Sequence, residues 1–199
     1  MIKAFKLFLI LLTVATVAVS CKKSEDFALS ETIFINDPYY PGLPIYSEWG
    51  YNTFGAYIDR KPFISTQAEL PAKILVNGDT LHLILKGRMS SQPVELRISI
   101  KGYAPADYFE LVSLNQTTIN LKDPGRALKL KIGNQQYDLS IIEGEILFNK
   151  VQKLYVDEEP TKSIISGYFR FKTFLDDEPI ALSNGRFDLG IGYDTFYNY

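Results

Sequence analysis

Cysteine is nearly absent from this chain, with Cys21 the only one in 199 residues. A single cysteine excludes an intrachain disulfide, so the fold must rest on its core alone. Histidine is as scarce. His82 is the only one, and a hydrolytic triad or a histidine zinc site would have to be built around a residue flanked by leucines in a strand-like run. A lone histidine in that setting is structural or exposed. There is no HExxH, no nucleophile elbow and no P-loop, so the chain is read as non-enzymatic, with no catalytic residue, metal site or cofactor assigned. Positive charge is also short. With 21 Lys and Arg against 23 Asp and Glu, no basic surface for nucleic acid is expected. Beyond residue 20 no apolar run approaches the about 20 residues of a membrane span. Nor does any stretch keep a capped helical period, apart from a turn around Ala104 to Phe109.

What is present is concentrated at the start, in MIKAFKLFLILLTVATVAVSC. Lys3 and Lys6 precede an apolar run from Leu7 to Val19, and small residues Ala18 and Ser20 lead into Cys21. This is the layout of an export signal, with small side chains leaving a peptidase room to reach the backbone. It resembles the signals of bacterial lipoproteins, with Ala18 standing where those most often carry Leu. The resemblance implies cleavage before Cys21, a diacylglyceryl group on its thiol and a further acyl chain on its freed amine. At ~0.8 kcal/mol per buried methylene, one acyl chain binds marginally and two or more anchor stably. The mature protein is therefore expected to be held at a membrane without spanning it. Removing residues 1–20 takes Lys3 and Lys6 away, leaving 19 basic against 23 acidic side chains, a net charge of −4.

Three regions are expected: a signal peptide over 1–20, a lipidated N-terminus and flexible tether over 21–47, and a β domain over 48–199. In the tether, DPYYPGLP places three prolines and a glycine close together, which prevents a regular ladder or helix. As a flexible coil it would reach roughly 25–30 Å. Beyond it the apolar period is two. Phe54, Ala56 and Ile58 alternate with Gly55, Tyr57 and Asp59, and Leu81, Leu83 and Leu85 alternate with Thr80, His82 and Ile84. Leu128, Leu130 and Ile132 repeat the pattern. A hairpin is expected over Ile74 to Lys86 with its turn at Asn77-Gly78, and a second over Ala127 to Ile142 with its turn at Gly133-Asn134. A third closes the chain around the acidic DDEP. The fold class is all-β, either a single antiparallel β-sandwich or a partly closed lipocalin-like barrel of about eight to ten strands.

The opening strand FGAYIDRKPF and the closing unit SGYFRFKTFLDDEPIALSNGRFDLGI resemble a family of Bacteroidetes lipoproteins of uncharacterised function. Members commonly begin with a strand similar to F-x-A-x-V-D-G-x-x-F and finish with V-S-G-x-F-x-F, a hairpin and N-G-x-F-D. The matching residues are Phe54, Ala56, Ile58, Asp59 and Phe63, then Ile165, Ser166, Gly167, Phe169 and Phe171, then Asn184, Gly185, Phe187 and Asp188. Arg60 stands where the family usually has glycine. The resemblance implies a lipid-anchored protein of the cell envelope, at the outer membrane of a Gram-negative bacterium. KKSED after Cys21 is similar to the segment that directs many such lipoproteins to the cell surface. A solvated leader on a periplasmic protein has the same composition, so both faces of the membrane stay open.

Aromatic residues crowd the start of the β domain: Tyr39, Tyr40, Tyr46, Trp49, Tyr51, Phe54 and Tyr57. Flat rings with polar edges suit stacking on a sugar or a partner surface, so Trp49, Tyr51 and Tyr46 are the candidate ligand-binding residues. The competing reading is packing, with Phe54 in the core and Trp49 plugging the open end of the sheet. The acidic clusters Asp157-Glu158-Glu159 and Asp176-Asp177-Glu178 could offer oxygens to calcium, but are read as solvated turns because a site needs six to eight oxygens in a cage. The expected function is a lipid-anchored binding or structural module. Its partners would be the membrane through the anchor and a glycan or protein ligand, with no nucleic acid, and the oligomeric state is left open. The alternative is a lipocalin-like carrier enclosing a small apolar molecule among Phe169, Phe171, Phe187 and Leu189.

Overall fold

The structure is a computed structural model that describes residues 32–66 and 70–199. Cys21, the signal and the first part of the expected tether lie outside the described residues. Eleven strands follow in order: β1 (Thr53–Ile58), β2 (Lys61–Ile64), β3 (Ala72–Asn77), β4 (Thr80–Met89), β5 (Gln92–Lys101), β6 (Thr117–Asn120), β7 (Arg126–Ile132), β8 (Gln135–Val156), β9 (Glu159–Leu175), β10 (Glu178–Ile191) and β11 (Phe196–Asn198). One 3-10 helix, Tyr108–Leu114, separates β5 from β6. Its N-cap, Asp107, accepts from the amides of Phe109 and Glu110, which places this turn just after the one expected from sequence.

The fold is all-β, with eleven strands where about eight to ten were expected. Antiparallel pairing runs β1–β2–β4–β5–β7–β8–β9–β10 and returns to β1. The closing contact, β2 on β4, consists of Phe63 opposite Met89 and Ile64 opposite Arg88. So short a seam makes the sheet partly ring-like and not a barrel. The edge of β4 that β2 leaves free is taken by β3, and β3 in turn pairs with β11 in parallel. The closing aromatics of the chain thus cover an edge that would otherwise invite association.

Alternation decides what lies inside. Leu81, Leu83 and Leu85 on β4 face Ile100, Ile98 and Leu96 on β5 in register, and all six are buried. Phe54, Phe63, Phe148, Phe169 and Phe187 are the largest side chains with no solvent contact. Phe54 meets Phe63 edge-on at 4.9 Å, and Phe148 meets Phe187 at 5.7 Å. Burying each ring is worth roughly 1.5–3 kcal/mol. The 3-10 helix adds Leu111 and Leu114 to the same cluster.

Turn chemistry sets the registers. Asn77 pairs with Thr80, so the first hairpin turns at Gly78-Asp79, one residue later than expected. Only Gly78 has a positive φ there, the sign pattern of a turn that wants glycine first rather than Asn-Gly. Gly133-Asn134 is the second turn, as expected, with Ile132 opposite Gln135. Its outgoing strand does not end at Ile142 but runs on to Val156, kinked by register shifts near Ile141, Phe148 and Leu154. Asp59-Arg60, Asp157-Glu158 and Asp176-Asp177 close three further two-residue hairpins with positive φ at both positions, and Ser90-Ser91 closes a fourth with positive φ at Ser90. The two acidic clusters are therefore hairpin tips.

Residues 32–52 are the largest departure from expectation. The stretch up to 47, expected as a flexible tether, is folded from residue 32 onward as a strap on the outer face of the sheet. It has no ladder, as the prolines require, only the bridge between Asn36 and Pro44. Leu43 has no solvent contact, and it packs with Pro44 over Gly55 of β1. A Cβ on Gly55 would lie 2.4 Å from Pro44 Cδ, so the strap can sit this low only over glycine.

Candidate functional site

Two outward positions on β10 hold the strap. Asp188 is 1% exposed, and a carboxylate so deep needs a full set of donors. It has them. Oδ1 accepts from Gly50 N at 2.7 Å and Ser166 Oγ at 2.9 Å, while Oδ2 accepts from Trp49 N at 3.2 Å, Tyr51 N at 3.1 Å and the Ser47 hydroxyl. Two residues earlier, Arg186 forms a buried ion pair with Asp37 of the strap and lies 4.4 Å from the Tyr40 ring centroid, a cation–π contact. Burial pushes the Asp37 carboxyl up, but the Tyr39 amide, Arg186 and the Tyr40 amide outweigh it and hold it below the usual carboxylate range.

A third knot joins the strap to β8. Glu48 accepts from Tyr46 Oη at 2.9 Å and Asn149 Nδ2 at 2.9 Å, and pairs with Lys150 at 3.3 Å. Burial raises the Glu48 carboxyl, and these partners together bring it below its ordinary value. Burial likewise pushes the Tyr46 hydroxyl upward, keeping it a neutral donor. The Tyr46 ring stacks on Tyr168 of β9 at 4.4 Å.

That stack borders a groove of mixed polar and apolar lining on the outer face of β8, β9 and β10. A depression of about 310 Å³ beside Tyr168 is lined by Leu147, Asn184 and Gly185, and a larger one of about 550 Å³ by Glu143, Lys172 and Ser183. Glu145 and Arg170 line both, so the two are adjacent. Its floor is charged in alternation: Arg170 pairs with Glu145 at 2.7 Å and Lys172 with Glu143 at 2.7 Å. Ala181 and Ser183 on β10 are short side chains facing these long ones, which leaves the hollow. A register shift in β10 between Leu182 and Gly185 carries Asn184 to its rim. Such a surface offers donors and acceptors of both signs beside an aromatic ring, the equipment for hydroxyl-rich or peptide ligands.

The three sequence-predicted binding residues do not converge. Tyr46 borders the groove through Tyr168. Trp49 is 73% exposed and lies along a shallow crevice with Leu154, Lys162 and Ile164, so it plugs nothing. Tyr51 contributes its amide to Asp188. The groove residues Tyr168, Arg170 and Lys172 were missed because their strand reads as core; the signal available was that they are the polar or amphipathic half of its alternation. His82 lies on the outer side of β4 with Nδ1 2.8 Å from Ser99 Oγ, and burial followed by the nearby Arg97 lowers its pKa. Among the described residues no group of three or more His, Cys, Asp or Glu is placed to hold a metal. Comparison with protein-family models, curated proteins and solved structures returns no match for this chain.

Proposed function

We propose that this protein is a lipid-anchored, non-enzymatic binding module of the cell envelope. It is held at the outer membrane of a Gram-negative bacterium through Cys21 and engages a glycan or protein ligand along the groove of β8, β9 and β10. The groove carries the reading: paired charges of both signs, Asn184 and the Tyr168 ring line two adjacent depressions on one face. The anchoring half is supported by the signal layout at residues 1–21 and by the resemblance to Bacteroidetes lipoproteins. A lipocalin-like carrier is less favoured, because Phe169, Phe171, Phe187 and Leu189, its candidate lining, belong to one packed cluster. The test combines two variants of the full chain. Cys21→Ala should release the protein from the membrane fraction, and retention there would refute the anchor. Arg170→Ala with Lys172→Ala should abolish capture of glycans on an array, or of envelope proteins cross-linked in cells, while leaving the melting curve close to wild type. Capture unchanged in that variant would refute the groove. Protease accessibility on intact cells then assigns the face: digestion means an external ligand, protection a periplasmic one.

A further inference from the structure

The strap has two sides, and only one is explained by its clamps. Thr32, Leu43 and Asn52 are buried toward the sheet. The other side exposes Ile33, Ile35, Tyr39, Ile45 and Trp49, with Tyr39 at 86% and Trp49 at 73%. Ile33, Ile35 and Ile45 are neighbours across the strap. Ile45 N donates to Ile35 O at 2.7 Å and Ile33 N donates to Tyr51 O at 2.9 Å, so the isoleucines lie side by side next to the Trp49 turn. A contiguous outward apolar surface of this kind marks an interaction site.

Charge and chain connectivity say what it meets. Residues 32–52 contain no Lys or Arg, and their only acids, Asp37 and Glu48, are both spent inward on Arg186 and Lys150. The outward face is thus apolar without a free charge, and it carries Trp and Tyr, the two side chains that favour the membrane–water boundary. Thr32 follows Cys21 by eleven residues, a span of at most about 40 Å. An anchor so near keeps the bilayer at high effective concentration around the strap, so a modest apolar patch suffices to dock.

We infer that the outward face of the strap rests in the interfacial layer of the membrane that holds Cys21, fixing the orientation of the β domain. The inference rests on the anchoring reading above. Trp49 is the only tryptophan in the chain and reports directly. Full-length lipidated protein is reconstituted into vesicles of phosphatidylethanolamine and phosphatidylglycerol, with and without brominated acyl chains. A ring seated roughly 5–10 Å into the boundary should lose on the order of half of its emission to bromolipid and be shielded from acrylamide. Ile33→Ser with Ile35→Ser and Ile45→Ser, all exposed positions, should restore acrylamide access and leave the melting curve unchanged. Trp49 open to acrylamide and unquenched by lipid, in protein that floats with the vesicles, overturns the docking and leaves the anchor standing. Shielding from acrylamide without bromolipid quenching also overturns it, and assigns the patch to a protein contact. Protein that fails to float overturns the anchor and the docking together.

Discussion

Replacing Asp188 with asparagine keeps the shape of the side chain and removes its ability to accept on both sides. Five donors converge on the carboxylate, three of them the amides of Trp49, Gly50 and Tyr51. The amide nitrogen of the asparagine must occupy one oxygen position. At Oδ2 it would confront two backbone amides, so the lesser loss places it at Oδ1, where Ser166 can rotate to accept but Gly50 N cannot. A bond to a charged acceptor worth about 1.5–3 kcal/mol is lost, and a buried amide is left unpaired at a cost of similar size. The bonds kept at Oδ2 weaken with the charge. A total of about 3–6 kcal/mol follows, against an expected stability of roughly 5–15 kcal/mol, or a fall in Tm of at least about 6–12 °C. Hydrogen exchange localises the effect: the amides of residues 49–51 should lose protection before those of β4 and β5. Ser166→Ala, which removes one hydroxyl, serves as the mild control at roughly 1 kcal/mol. An asparagine variant within about 1 kcal/mol of wild type, with residues 49–51 as protected as before, would refute the view that this carboxylate holds the strap.

Arg60 sits at φ 69, a left-handed conformation that costs any residue with a Cβ roughly 1 kcal/mol and glycine little; Arg60→Gly should therefore raise the midpoint of urea unfolding, and a lowered midpoint would count against the turn assignment. A Cβ on Gly167 would lie 1.9 Å from the Leu147 carbonyl oxygen, so Gly167→Ala must push β8 from β9, costing more than about 3 kcal/mol; a melting curve matching wild type would contradict the register. The clamps also set a pH response. Asp37 and Glu48 are both held below their ordinary values of 3.8 and 4.5; since the folded pKa is the lower one, their contribution is complete above about pH 4.5 and is lost as pH falls through the folded values. Proteolysis of the strap should accelerate below that pH ahead of global unfolding, and equal resistance across the window would show that these carboxylates do not hold it.

Period-two alternation was enough to place β1, β4 and β7, because each inward residue repeats at a spacing visible within its own strand. The strap was not legible for the converse reason. Three prolines forbid a ladder, and a segment without a ladder reads as a tether, yet this one is held by side chains whose partners lie 138 residues away at Asp188 and 149 away at Arg186. No local pattern encodes such contacts. The groove escaped for a related reason, since it depends on which outward residues of β8, β9 and β10 come level after the register shifts.

The residues that carry the family resemblance acquire a physical meaning from these contacts. Ser166 and Asp188 bond to each other and receive the strap, Gly167 lies opposite Phe187 where no side chain fits, and Phe169, Phe171 and Phe187 fill the core. Asp59, by contrast, lies in an exposed hairpin turn, and Asn184 and Gly185 border the groove. Tyr168 and Arg170 occupy the free positions of the same pattern, and these two face outward into the groove. A chain can keep such a pattern intact while its groove changes, because alternation separates the two sets by one residue. Ser166, Gly167, Phe169, Phe171, Phe187 and Asp188 therefore hold a sheet with its strap locked down, while Tyr168 and Arg170 between them, with Asn184 and Gly185, line the groove. Exchanging Tyr168 would remove its stack on Tyr46. Under the proposed function, exchanging Arg170 and Lys172 together should instead alter ligand choice without moving the melting temperature by more than a few degrees, since exposed ion pairs on β9 contribute little to stability. A large loss of stability from that exchange would show that the groove residues also belong to the frame.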